Sequence, residues 1–142
     1  MKKIVPIVVF FIVLSISSFA QGKIITKAEA DEIFGPVKSK IRFSSKVLES
    51  YVQKNDYVMF RYVKDKVNIL GNNRSPLFKQ FDVKNNDVYF VFGSDVVKEL
   101  LALGAEDDTY IEQRDSTISL SNGTNVGEWS PACPPCCPMC EE

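Results

Sequence analysis

Apolar positions change period several times along the chain, and each change marks an element. In "ITKAEADEIFGP" the residues Ala30, Ile33 and Phe34 fall on a narrow helical stripe. Thr26 is the expected N-cap, with Glu29 three residues on as in a capping box, and Gly35-Pro36 closes the helix. So narrow a stripe suits a short helix lying at the margin of a core as a lid or brace. After an extended piece around Ile41 to Phe43, "SSKVLESYVQKN" places Val47, Leu48, Tyr51 and Val52 at helical spacing behind Ser45, the expected N-cap.

The period then shortens to two. Val58, Phe60 and Tyr62 alternate with other residues, the chain turns through Lys64 and Asp65, and Val67 and Ile69 resume the alternation. Pairing about that turn, or slipped by two residues, puts all five on one face, as a half-buried hairpin requires. "GNNRSPLFKQFDVKNND" reads as a long polar loop pinned by Leu77, Phe78 and Phe81. "VYFVF" is apolar on both faces and so belongs inside a sheet. "SDVVKELLALG" is a helix with Ser94 as N-cap and Gly104 as its stop. In "TYIEQRDSTISLSNG" a two-residue Asp115-Ser116 loop sets Ile111 opposite Leu120.

Laid side by side, "FSSKVLESYVQKN" from Phe43 and "FGSDVVKELLALG" from Phe92 share the order Phe, any residue, Ser, any residue, Val, aliphatic. Each follows an extended piece, forms a helix and leads into a hairpin, so two βαββ-like halves recur at a spacing of 49 residues. The expected class is α+β: strands forming one antiparallel sheet, two helices packed on one face, and the short N-terminal helix at its margin.

The first twenty residues stand apart from this pattern. Lys2 and Lys3 precede an apolar run from Ile4 to Leu14, and small residues lead to Ala20, the three-part plan of a secretory signal peptide. Pro6 and the serines at 15, 17 and 18 leave the run short of a membrane span. The expected organisation is a signal peptide at 1–20, a single α+β domain at 21–129 and a Cys/Pro-rich tail at 130–142. The mature protein is expected in a bacterial periplasm or outside the cell, with no stable membrane span.

Charge and composition narrow the function. Without Lys2 and Lys3 the chain carries 15 basic and 18 acidic residues. It shows no basic stripe to neutralise phosphates, which argues against nucleic acid as a partner. The sequence has no histidine, so the commonest general base and the triads built on it are missing. No Gly-rich phosphate loop or nucleophile elbow is present. Gly93-Ser94 stands at a strand-to-helix turn, where capping accounts for the serine. Glu106-Asp107-Asp108 and the oxygen-rich run from Asp82 to Asp87 read as solvated turns; the second lacks the glycine and distal Glu of a calcium loop.

All four cysteines, Cys133, Cys136, Cys137 and Cys140, fall within "CPPCCPMC". Any disulfide within one chain therefore joins the tail to itself and cannot tie the domain together. Pairing 137 with 140 encloses Pro138-Met139, a turn with Pro at its favoured second position, whereas pairing 133 with 136 places Pro135 at the disfavoured third position. Cys-Pro-Pro-Cys resembles a redox motif but has no following helix to lower a thiol pKa.

Two readings of the tail stay open. In the first, the protein is a small exported non-enzymatic module that binds a protein or small ligand, or serves a structural role, and carries a disulfide-bonded tail. In the second, Cys133, Cys136, Cys137 and Cys140 hold Cu(I) or a similar soft metal, with the Met139 thioether as a further donor.

Overall fold

Helices and hairpins follow one another in the order the period changes predict. A computed structural model describes residues 23–104, 107–115 and 117–127, together with the backbone of 130–133. Strand β1 (Ile24–Thr26) leads into α1 (Lys27–Phe34), β2 (Ser39–Ser44), α2 (Ser45–Lys54), β3 (Tyr57–Val63), β4 (Lys66–Leu70) and β5 (Pro76–Phe78). The second half runs β6 (Tyr89–Gly93), α3 (Ser94–Leu103), β7 (Asp108–Gln113), β8 (Ile118–Ser121) and β9 (Asn125–Gly127), and β10 (Ser130–Cys133) ends the described chain.

The class is α+β with antiparallel strands, as the alternation implies, but the strands divide between two five-stranded sheets. The first has the order β1-β9-β8-β7-β2 and the second β10-β6-β3-β4-β5. The two halves exchange their leading strands. β2 crosses to the hairpin of the second half and pairs Phe43 with Thr109; β6 crosses to the hairpin of the first and pairs Phe92 with Val58. The one-sheet expectation fails because α2 and α3 each carry the chain from one sheet to the other, so neither half keeps its strands together.

The repeat is visible in the registers. Phe43 precedes Phe92 by 49 positions, while the pair Tyr62–Val67 precedes its counterpart Gln113–Ile118 by 51. The difference of two sits in the connectors: residues 55–56 follow α2, and 104–107 follow α3. Both hairpins turn through two residues. Lys64 and Asp65 have φ of 48° and 61°, the left-handed pair of a type I′ turn. Across the other, Arg114 N donates to Thr117 O at 2.9 Å, and Ile111 lies opposite Leu120 as expected.

One core joins the layers. Val58, Phe60, Tyr62, Val67 and Ile69, all on one face of the first hairpin, meet Leu48 and Val52 of α2, Val97 and Leu100 of α3, and Ile111, Ile118 and Leu120 of the second hairpin. Phe60 and Phe92 pack edge to face at 5.4 Å, and Phe43 does so with Phe78 at 5.2 Å across the two sheets. Leu77 and Phe78 thus lie on a strand packed against the core, where the sequence suggested only a loop. Pro76, which lacks an N–H, is accommodated because β5 is an edge strand.

Helix α1 has the predicted capping box: Glu29 N donates to Thr26 Oγ1 at 3.2 Å, and Thr26 N to Glu29 Oε2 at 2.8 Å. Its apolar stripe is narrower than the spacing implied. Ala30 is fully buried, but Ile33 is 58% exposed.

The two serines have a different task from the one expected. The N-caps are Ser44 and Gly93, one residue earlier, and Ser45 and Ser94 begin the helices proper. Ser45 N donates to Asp107 O at 2.8 Å and Ser94 N to Asp56 O at 2.9 Å. Each helix start is thereby fastened to the connector that follows the other helix. The hydroxyls repeat the arrangement: Ser45 Oγ shares a hydrogen bond of 2.8 Å with Thr109 Oγ1, and Ser94 Oγ donates to Asn55 O.

Candidate functional site

The tail begins inside the fold. Ser130 pairs with Val91 and Cys133 with Tyr89, with a register shift between them, so the first four residues assigned to the tail form the outer strand of the second sheet. Pro131 fits there because an edge strand tolerates a missing donor. Cys136, Cys137 and Cys140 lie outside the described residues, as does the expected signal peptide at 1–20.

Beside this strand, the outer face of the second sheet forms an apolar floor of Tyr57, Met59, Leu70, Tyr89 and Val91, with Val83 packed on it. The segment 79–88 crosses the floor and is fastened by three polar side chains. Asn68, fully buried on β4, accepts from Gln80 N at 2.8 Å and Phe81 N at 3.2 Å, and its amide donates to Phe81 O at 2.9 Å. Arg74 lies over the Tyr89 ring at 5.1 Å and donates to Lys84 O and Asp87 O. Arg61 donates to Val88 O at 3.3 Å and pairs with Asp87 at 3.5 Å.

These side chains satisfy backbone groups of residues 80–88 and form no nucleophile or acid–base pair. Sequence reasoning passed over all three. For Asn68 and Arg61 the only signal was a polar residue at an alternating strand position, which reads equally well as solvent-facing, and Arg74 was one more polar residue in a turn-rich stretch. Asp87, in the oxygen-rich run, accepts from Lys84 N at 3.0 Å and closes the turn expected there.

On the opposite side of the core, the helices leave a shallow cleft of about 240 Å³ lined by Ser45, Lys46, Glu49, Lys98, Leu101 and Asp107. Its lysines and glutamate are exposed. Of the acidic run, Asp108 pairs with Arg42 at 2.6 Å and Asp107 offers its carbonyl to Ser45. Glu106 lies outside the described residues. Ser94 is buried and committed to Asn55.

The most buried charge is Arg114, on the outer face of the first sheet. Its guanidinium donates to Asp31 Oδ1 at 2.8 Å, to Glu112 Oε2 at 3.3 Å, to Ser119 Oγ at 3.0 Å and to the Gly35 carbonyl. The cluster bolts α1 to the sheet. Gly35 has φ of +79°, which favours glycine at the turn leaving α1.

Burial also pushes the phenols of Tyr51 and Tyr62 above their ordinary range, and both serve packing: Tyr51 donates to Leu77 O, and Tyr62 to Asp65 Oδ1. Among the described residues no group of three His, Cys, Asp or Glu side chains is placed to hold a metal ion, and no helix is long and apolar enough to cross a membrane. Comparison with family models, curated proteins and solved structures finds no match to this chain.

Proposed function

We propose that the protein is a small exported, non-enzymatic module whose folded domain carries and positions the Cys/Pro-rich tail. One observation supports this reading above the others: the tail leaves from a fixed strand. Cys133 ends β10 opposite Tyr89, while the core draws on strands and helices that contain no cysteine. A domain that needs no disulfide for its core, yet holds the first cysteine at a sheet margin, suits a carrier whose tail forms disulfides within itself or with another chain. The absence of histidine from the sequence supports a non-enzymatic role. Soft-metal capture is the second reading, favoured by four thiols and one thioether within eight residues.

Native mass spectrometry of the mature protein, with and without thiol alkylation, tests both. The expected mass is four protons below the reduced chain, with no alkylation. Replacing all four cysteines by serine should leave the melting temperature unchanged. Alkylatable thiols accompanied by the mass of copper would transfer the function to the metal reading. Unfolding of the serine variant would overturn the carrier role.

A further inference from the structure

We infer that the free edge of β2 is a docking site for an extended segment of another polypeptide carrying acidic side chains at alternate positions. The internal repeat shows why a strand fits there. β2 and β6 are counterparts, each leading its half and each pairing with the hairpin of the other. Outside β6 lies β10; outside β2, among the described residues, lies no strand. The two edges differ in burial accordingly. Tyr89, Val91 and Phe92 of β6 are fully buried, whereas β2 alternates between half-buried and exposed, leaving Ile41 and Phe43 half-covered.

The edge is a suitable template. All six residues of β2 pair with β7 in one unbroken register, and none is proline. An edge strand turns the N–H and C=O of alternate residues outward, ready for another chain. The other edge strands offer less: β5 has three residues, a proline and a register shift, β1 has three residues, and β10 carries Pro131 and a register shift.

Charge selects the occupant. Lys40 and Arg42 point to the outer face of β2, and Lys38 precedes the strand. Their partners stand one strand inward: Arg42 pairs with Asp108, Lys38 with Asp115, and Lys40 lies over Tyr110 at 4.5 Å. A strand arriving from outside meets the cations first, and Arg42 keeps 72% of its side chain exposed. A second copy pairing antiparallel through the same edge in the register centred on Ile41, where most of β2 is matched, would set Lys40 opposite Arg42, and like charges directly opposite are destabilising. Acidic residues opposite Lys40 and Arg42 reverse that sign.

The test is amide hydrogen exchange on the mature full-length protein with two blocked hexapeptides, one alternating Val with Glu and the other Val with Lys. The acidic peptide should slow exchange across β2 and bind about tenfold more tightly than the basic one, a preference that falls as salt is added. The variant Lys40→Glu/Arg42→Glu should reverse it. Equal slowing by both peptides, no slowing in β2, or slowing that grows with protein concentration without peptide would each overturn the assignment; the last would mark a self-association edge.

Discussion

Ser94 N donates to the Asp56 carbonyl at 2.9 Å, so the first residue of α3 is tied to the connector behind α2. Ser45 and Asp107 repeat the relationship at 2.8 Å. The two halves are therefore interlocked by backbone bonds at the helix starts as well as by exchanged strands.

The hydroxyl of Ser94 is buried and spent on Asn55 O. Ser94→Ala should cost about 1 kcal/mol, because Asn55 O loses a donor in a place poorly reached by water. Ser45→Ala should cost less, since that serine is only half-buried. Urea denaturation of the two variants compares them directly.

Asn68 makes three hydrogen bonds to the backbone of residues 80 and 81 from a fully buried position. Asn68→Ala should lower stability by about 2–3 kcal/mol and release the segment 79–88 from its floor. Faster amide exchange confined to Gln80 and Phe81 and their neighbours would show the fastening lost while the core is kept.

Arg114 has a fully buried side chain and Glu112 beside it is 4% exposed. Arg114→Ala should cost about 3–5 kcal/mol, because it strands the Glu112 carboxylate without its cation. Arg114→Met combined with Glu112→Leu should recover most of that loss. Thermal unfolding of the single and double variants reads the difference.

The Thr26 backbone N–H, and after it the Thr26 hydroxyl, hold the Glu29 carboxyl below its ordinary value of 4.5. A lowered folded pKa means that the charged form is favoured in the folded state. Its contribution to stability is complete above 4.5 and is lost as the pH falls through the lowered value. A carboxyl NMR titration should place Glu29 below 4.5, and Thr26→Val should move it back up.

Several elements were legible because the forces that set them are local. Two-residue turns fixed both hairpin registers, so Val58, Phe60, Tyr62, Val67 and Ile69 could be assigned to one face from alternation alone. The capping box of Thr26 and Glu29 is likewise a matter of four consecutive residues. β5 was hidden because three residues carry too little alternation to be recognised beside Gly71 and the Asn-rich turns. The serines misled for a related reason. A serine before an apolar stripe signals a cap, and nothing nearby reveals a second connector waiting to accept its N–H.

The sequence alone determined the order of the helices and hairpins, their two-residue turns and each helix start to within a residue, and it confined every cysteine to the last ten residues of the chain. Tertiary structure alone decided that β2 and β6 change halves, that Arg114 and Asn68 are buried, and that Ser130–Cys133 closes a sheet. The reason is physical: an alternating strand satisfies its own pattern beside any suitable partner, and a polar residue at an outer-face position looks solvent-bound until another segment covers it. Partner choice and coverage are set by distant parts of the chain, and the local period does not record them.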